Sequence, residues 1–299
     1  MITPQALDEI ITNQTETGYN FKPGFLSDEE IYKIKQDAGK ERYDIQKAPL
    51  GRRVFSYIQS KHPEIHFEKE HFESDFDAMI YFPNHDNSVV FIILNQNKPL
   101  VNQIFACAHE YYHYLYDVAD IANNPLICYL DRPESISREH KASRFAAEYL
   151  LPRDALIEFV DTFMIRNKST LSELPDEISL VPLIISLTLH FEMPIKAILY
   201  RLQGKKYYSN NLKNVEPLYA LIKNTIDLLN KRYPERFSEL FEKNNLYLDD
   251  SIYNVAANVY NQGLVTYDRL TGDMEYLGIS MDTLGLQPPK FDPGEEDDS

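Results

Sequence analysis

The chain has 299 residues, of which 43% are hydrophobic and 25% are charged, and this composition is typical of a folded globular protein. Its formal net charge of −16 argues against broad binding to nucleic acid or to anionic membranes, because both require an excess of Lys and Arg. The two cysteines, Cys107 and Cys128, give no disulfide framework, and no stretch resembles a signal peptide or a membrane span. We therefore expect a cytoplasmic protein that is long enough for two or three small domains.

The elements predicted from the first part of the chain are helices followed by strands. A capping box at Ser27–Glu30, followed by apolar residues at helical spacing, predicts one helix, and a second is predicted from about residue 50 to 60. Short apolar runs around residues 65–67, 79–82 and 89–94 predict three strands. Turn-forming residues between the last two runs predict a hairpin.

The rest of the chain has mostly helical patterning. Helices are predicted at about residues 100–117, 134–150, from Pro152 onward, at 181–191 and at 194–202, with later breaks near Pro234 and Gly263. The Pro-rich, acidic tail from Gln287 is predicted to be disordered. This order of elements predicts an α+β fold that is mainly helical with a small β-sheet, followed by a helical accessory region.

The segment with the clearest chemical pattern is H-E-x-x-H, formed by His109, Glu110 and His113 in the helix predicted at 100–117. Residues four apart in an α-helix differ by about 40° in direction, so both histidines project from one face and can bind one metal ion. Glu110 lies beside that face, where it can act as a general base toward a water molecule. The motif also occurs by chance in very roughly one chain in a hundred of this length, and helical histidines are often simple core or surface residues.

A catalytic zinc site needs a third protein ligand and keeps one position open for water. The extended motif H-E-x-x-H-x-x-G-x-x-H is absent, because residues 114–116 are Tyr-Leu-Tyr. Glu139, in the next long helix, lies on a stripe of small residues that allows close approach to another helix. A carboxylate buried there needs a partner such as a metal ion. His140 and Glu148 are competing candidates, although they point a quarter turn or more away from this stripe.

Together these motifs resemble the ImmA/IrrE family of bacterial metallopeptidases. The family combines H-E-x-x-H after an apolar strand with E-x-x-A-N-x-F-A and an L-L-x-P-like ending, and this chain has E-H-K-A-S-R-F-A at 139–146 and L-L-P at 150–152. The resemblance covers roughly residues 45–205. It implies a zincin-like peptidase domain with one zinc ion, three ligands and a catalytic base. The implied ligands are His109, His113 and Glu139, and the implied base is Glu110.

Ser143 departs from the family pattern, in which Asn or Asp stands one turn after the ligand glutamate. In related zinc peptidases that position orients a ligand histidine through a hydrogen bond, and such contacts fix the ring tautomer. Serine can also accept this bond, but its side chain is shorter. We therefore predict that Ser143 supports a ligand histidine less directly, through an intervening group or at a cost in metal affinity.

No residue is predicted to stabilise the transition state, because the chain has 21 tyrosines and no pattern that selects one. Tyr111 and Tyr112 are more typical of packing residues within a helix. Cys107 lies two residues before His109 and hence on a different face, which favours a small buried residue over a metal or redox role.

Residues 187–203 have the pattern of helix, turn, helix. The second helix could read DNA bases, but its apolar content and the acidity of the chain favour a packed hairpin of the peptidase domain. The predicted divisions are an N-terminal helical segment (1–44), the metallopeptidase domain (45–178), a helix-turn-helix-like unit (179–210), a helical C-terminal region (211–286) and the acidic tail (287–299).

The leading hypothesis is a cytoplasmic zinc endopeptidase that cleaves a specific protein. The resemblance implies that the substrate is a helix-turn-helix transcriptional repressor, whose cleavage relieves repression during stress or mobile-element induction. Two alternatives remain open. One is a DNA-binding transcriptional regulator with a structural metal site. The other is a catalytically silent, antitoxin-like interaction protein, whose acidic surface would sequester a basic partner.

Overall fold

The computed structural model describes residues 26–72, 76–122, 126–128, 137–166, 180–203, 215–241, 250–276, 281 and 286–288. The chain divides into two compact units, Met1–Asn245 and Leu246–Ser299. The helices of the first unit are α1 (Asp28–Glu41), α2 (Val54–Lys61), α3 (Leu100–Tyr116), α4 (Val118–Ile121), α5 (Ser137–Leu150), α6 (Arg153–Arg166), α7 (Val181–Phe191), α8 (Ile195–Gln203), α9 (Val215–Arg232) and α10 (Pro234–Phe241). The longer ones lie where the periodicity predicts them.

A four-stranded mixed sheet forms the β part of the first unit, in the order β1-β3-β2-β4. Its strands are β1 (Ile65–Glu70), β2 (Ala78–Tyr81), β3 (Val90–Asn95) and β4 (Leu126–Cys128). β3 pairs in parallel with β1 and antiparallel with β2, so the predicted hairpin is confirmed. β4 pairs antiparallel with β2 and was not predicted, because three residues are too few to show a period. The fold is therefore α+β and mainly helical, as predicted.

Helix α3 is the central helix of this unit and follows β3 after a turn of four residues. Nearly every side chain from Leu100 to Tyr114 is buried, because the helix packs on β2 and β3 on one side and on α5 on the other. The helix ends where the sequence predicts, with Asp117 as its C-terminal cap residue. This burial places the H-E-x-x-H segment inside the fold rather than on its surface.

Helix α5 packs against both α3 and α1. Ala142 and Ala146 are fully buried in it, and their small side chains allow the close approach that the sequence predicts. Helix α1 begins with the predicted capping box, in which Ser27 and Glu30 exchange hydrogen bonds. The Glu30 carboxylate also forms an ion pair with Lys141 of α5, with an N–O distance of 3.0 Å. The N-terminal helix therefore supports the helix that carries Glu139.

Arg42, the residue after α1, donates hydrogen bonds to three backbone carbonyl oxygens. Its guanidinium donates to the carbonyl oxygens of Gln46 and Ala48, each at 2.7 Å, and to the carbonyl oxygen of Tyr149 in the last turn of α5. The Arg42 side chain is buried, and these acceptors satisfy the hydrogen-bonding groups that burial would otherwise leave unpaired. The end of α1 is thus fastened to the end of α5.

Helices α7 and α8 form the predicted helix-turn-helix-like hairpin. Most of α8 is buried, including Ile198, Leu199 and Leu202, while Tyr200 is exposed. Arg201 of α8 is buried as well and donates to the Leu151 carbonyl oxygen and to the Glu148 carboxylate of α5. The burial of α8 fits a packed hairpin rather than a helix with a free face for a DNA groove.

The second unit contains α11 (Asp250–Asn261) and α12 (Tyr267–Tyr276). Between them Gly263 has a φ of 69°, a left-handed conformation that ends α11 near the predicted break. Buried apolar residues from both helices and from Met281 form a small separate core. The hydroxyl of Tyr260 donates to the carbonyl oxygen of Gln287, which holds the returning chain against this core.

Some expectations fall outside the described residues, namely helical structure before residue 26, the start of the helix predicted at 134–150, and disorder from 289 onward. Within the described residues, no single helix combines the length and hydropathy that a membrane crossing requires. One bent pair of helices, Val181–Phe191 with Ile195–Leu202 at 117°, meets the criterion only when taken together.

Candidate metal centre

Three side chains from two helices converge in the interior of the first unit. The Nε2 atoms of His109 and His113, both on α3, are 3.2 Å apart. Oε2 of Glu139, near the start of α5, lies 3.0 Å from Nε2 of His109 and 3.5 Å from Nε2 of His113. All three residues are buried, and among the described residues they are the one group of three that could hold a metal ion.

The spacing of these three atoms fits a tetrahedral metal site. Metal–ligand bonds of about 2.0–2.1 Å at tetrahedral angles place neighbouring ligand atoms roughly 3.3 Å apart. The observed distances of 3.0, 3.2 and 3.5 Å lie on either side of that value. Two imidazole nitrogens with one carboxylate oxygen form a donor set that zinc accepts, with a fourth position left for another group. The residues present therefore fit the metal that the motif predicts.

The electrostatic surroundings of the two histidines differ. Burial would lower the pKa of His113, but the carboxylates of Asp117, Glu139 and Glu110 outweigh it and raise that pKa to about 10. For His109 the balance is opposite, because burial lowers its pKa more than Glu139 raises it. Burial would raise the pKa of Glu139, yet its contacts with the two histidines hold it well below the usual range. The carboxylate of Glu139 is therefore ionised and lies beside the positive charge of the His113 ring.

Each histidine has a hydrogen-bond partner on the ring nitrogen that faces away from the cluster. Oγ of Ser143 lies 3.2 Å from Nδ1 of His109, so serine reaches the ring directly. Oδ2 of Asp117 lies 2.7 Å from Nδ1 of His113. Both contacts leave the Nε2 atoms for the centre of the cluster, which is the arrangement that supports metal ligands.

Sequence reasoning missed Asp117, although one signal was present. A carboxylate four residues after the second histidine of H-E-x-x-H lies on the same helix face one turn further on. Because the helix was predicted to end at about that residue, the direction of its side chain could not be inferred. The structure shows that residue 117 caps α3 and that its side chain still turns back toward His113.

Glu110 is fully buried beside the histidines and is close enough to contribute to the raised pKa of His113. Cys107, one turn before Tyr111, is a buried free thiol. Burial, together with the nearby charge of Glu110, raises the pKa of this thiol well above its usual value. The thiol therefore stays protonated, which agrees with a packing residue rather than a ligand.

Two tyrosines of α3, Tyr111 and Tyr114, form hydrogen bonds through their hydroxyl groups on the other side of the helix. The Tyr111 hydroxyl donates to Glu41 at 2.7 Å and lies 3.0 Å from Nε2 of His62. The Tyr114 hydroxyl donates to Glu64. Helical geometry directs these two residues roughly 180° and 120° away from the ligand histidines. Tyr111 therefore joins α3 to the last residue of α1 and to His62, the residue after α2, in line with the predicted packing role.

The competing candidates for the third ligand do not join the cluster. Glu148 binds Arg144 at 2.5 Å and the buried Arg201, so its charge is used between α5 and α8. His140 is half-buried, and burial lowers its pKa. Of the three acidic and basic candidates on α5, only Glu139 points at the two histidines.

A small mixed sheet packed against an H-E-x-x-H helix, with a carboxylate supplied by the next long helix, defines the zincin-like class of metallopeptidases. Residues 61–203 match the family model described as the IrrE N-terminal-like domain. This match supports the resemblance to the ImmA/IrrE family of metallopeptidases that the motifs indicated. The match contains all the candidate site residues and ends at the last residue of α8. The comparison with curated protein sequences gives no match.

Proposed function

We propose that the protein is a zinc-dependent endopeptidase in which His109, His113 and Glu139 hold the metal. The observation that carries this proposal is the convergence of the three ligand atoms within 3.0 to 3.5 Å inside a metallopeptidase domain. Zinc, when bound, would lower the pKa of a water molecule toward about 7 and polarise a carbonyl group. The rest of the chemistry belongs to the side chains around it.

Glu110 is the proposed general base. It follows the first ligand directly, so its carboxylate lies beside the face that carries both histidines, and it is fully buried. In this role one carboxylate oxygen accepts a proton from the attacking water and then passes it to the leaving amine. Burial excludes bulk water from the Glu110 carboxylate, which strengthens its electrostatic interaction with the His113 ring.

We further propose that the substrate is a helix-turn-helix transcriptional repressor or a related regulator, whose cleavage relieves repression. The resemblance to the ImmA/IrrE family supports this substrate class. Charge is consistent with it, because a protein of net charge −16 attracts the basic surface of a DNA-binding partner rather than DNA itself. The buried α8 likewise gives no support to direct reading of DNA by this chain.

The experiment is co-expression of candidate repressors with the wild type, with Glu110→Gln, and with Glu158→Gln as a matched control on the exposed surface of α6. We expect the wild type and the control to cleave one repressor. Glu110→Gln should lose at least about 100-fold in rate because the general base is gone. Its zinc content should be unchanged, because all three ligands remain.

Two results would contradict the proposal. One is equal cleavage by the wild type and by Glu110→Gln, which would show that Glu110 is not the base. The other is failure of the zinc-loaded wild type to cleave any candidate. Relief of repression by Glu110→Gln without cleavage would instead support a catalytically silent interaction protein.

A further inference from the structure

The environment of His113 contains a carboxylate that the family motifs do not include. Asp117 accepts a hydrogen bond at Oδ2 from Nδ1 of His113 across 2.7 Å, and its side chain is only 14% exposed. A carboxylate can only accept hydrogen bonds, so Nδ1 must be the donor. A histidine must lose one ring proton to bind a metal, and in that neutral ring the lone pair of His113 is on Nε2, the atom that faces His109 and Glu139.

Backbone hydrogen bonds to the preceding helix, α3, and to the following helix, α4, fix the position of Asp117. Its backbone N–H donates to the His113 carbonyl oxygen at 2.9 Å, as the last hydrogen bond of α3. Its own carbonyl oxygen accepts from the N–H groups of Asp120 and Ile121, at 2.9 and 3.1 Å, in the first turn of α4. These hydrogen bonds fix the backbone of Asp117 next to the His113 ring. Less conformational entropy is therefore lost when the Asp117 carboxylate forms its hydrogen bond to the ring.

The hydrogen bond between Ser143 and His109 is longer than that between Asp117 and His113, and its side-chain partner is neutral. Oγ of Ser143 lies 3.2 Å from Nδ1 of His109, 0.5 Å further than the carboxylate of Asp117 from its ring. A hydroxyl group is neutral and can donate or accept, so it does not by itself select one tautomer. Hydrogen bonds to a charged acceptor are roughly twice as strong as neutral ones.

We propose that Asp117 is the principal positioning residue of the metal site, and that it fixes the tautomer and ring orientation of His113 so that the site tolerates serine at position 143. The inference rests on the metal site proposed above. It predicts that the two ligand histidines depend unequally on their partners, and that metal affinity depends more on Asp117 than on Ser143.

The test compares zinc affinity in the full chain by competition with a chromophoric chelator, for the wild type, Asp117→Ala, Asp117→Asn and Ser143→Ala. We expect Asp117→Ala to lose about 10- to 100-fold in affinity. Asp117→Asn should lose less, because its amide oxygen still accepts from Nδ1. Ser143→Ala should lose less than Asp117→Ala.

A second measurement separates positioning from stability. The visible absorption spectrum of the cobalt-loaded proteins reports ligand geometry. It should change in Asp117→Ala and stay close to that of the wild type in Asp117→Asn. Thermal unfolding of the metal-free variants identifies a temperature at which all are folded, and affinities are compared there.

Failure of the inference about Asp117 can be told apart from failure of the proposed function. The inference is overturned if Asp117→Ala binds zinc within twofold of the wild type, or if Ser143→Ala loses as much affinity as Asp117→Ala. An unchanged cobalt spectrum in Asp117→Ala would also overturn it. A wild type that binds no zinc at all would instead overturn the proposed function, and the inference would fall with it.

Discussion

His109 and His113 lie one helical turn apart, yet each contacts a different kind of partner through Nδ1. One ring is supported by a hydroxyl group and the other by a carboxylate, while both direct Nε2 toward Glu139. Glu139 is the residue that α5 contributes to the candidate metal site, and its carboxylate contacts both rings. The removal of Glu139 should therefore affect the two histidines at once.

At the residue scale, we predict that Glu139→Gln abolishes stable metal binding. The amide oxygen carries no charge, so it is a poorer ligand for zinc and no longer offsets positive charge beside the buried rings. The loss of affinity should exceed the roughly 10- to 100-fold typical of removing a supporting partner. Zinc content after dialysis is the measurement, with Glu158→Gln on exposed α6 as the control.

Removal of zinc by a chelator should lower the unfolding temperature of the wild type, because a ligand that binds only the folded state stabilises it. The same treatment should leave Glu139→Gln unchanged. An equal shift in both proteins would show that the metal binds elsewhere.

At the scale of elements, α5 is held in place by charged residues at both ends. Near its start Lys141 pairs with Glu30 of α1, and near its end Glu148 pairs with the buried Arg201 of α8. The first pair is partly exposed and the second is almost completely buried. They should therefore respond differently to mutation and to pH.

We predict that Arg201→Leu destabilises the first unit by about 3–5 kcal/mol, because it removes one partner of a buried ion pair and leaves the Leu151 carbonyl oxygen without its donor. Chemical denaturation followed by far-UV circular dichroism would measure this loss. Arg269→Leu is the control, because its ion pair with Asp273 is exposed and should contribute no more than about 1 kcal/mol. Similar losses in the two variants would contradict the prediction.

The contact of Glu30 with α5 should depend on pH in the acid range. The backbone N–H of Ser27 and the ammonium group of Lys141 lower the pKa of Glu30 from 4.5 to about 2. A lowered pKa gives stability that is present above 4.5 and is lost as the pH falls toward 2. The unfolding temperature of Glu30→Gln should therefore lie below that of the wild type at pH 6, and the difference should shrink at pH 3. Glu29→Gln, at an exposed position in the same turn, is the control.

The elements that were predictable are those with enough residues to show a period. α3 and α5 carry apolar or small residues at helical spacing over 17 and 14 residues, and so the cluster of His109, His113 and Glu139 could be predicted with them. β4 and α4 have three and four residues and show no period. The contacts of Arg42 with Tyr149 and of Arg201 with Glu148 span 107 and 53 residues, and local patterning carries no information about them.

At the scale of the whole molecule, the two compact units share the charge unequally. The second unit carries more than half of the net negative charge, because its acidic residues far outnumber its two basic residues, Arg269 and Lys290. The candidate ligands, the candidate base and both supporting residues lie in the first unit. Metal binding should therefore be a property of the first unit.

We predict that a chain ending at residue 245 binds zinc within about twofold of the full chain, since His109, His113 and Glu139 all lie before that point. Chelator competition would measure this affinity. Cleavage of the proposed repressor substrate by the shortened chain, compared at equal zinc loading, would then show whether the second unit takes part in substrate recognition. A large loss of zinc affinity on shortening would show that the first unit does not hold its site alone.

The contacts of Arg42 have an evolutionary consequence. Its acceptors are the backbone carbonyl oxygens of Gln46, Ala48 and Tyr149, which every amino acid provides. Substitutions at those three positions leave the acceptors in place, whereas substitution of the arginine removes all three bonds. Among relatives that keep this loop length, residue 42 should stay arginine while residues 43–48 vary. Lysine is a poor replacement, because one ammonium group cannot match the planar, forked geometry of a guanidinium.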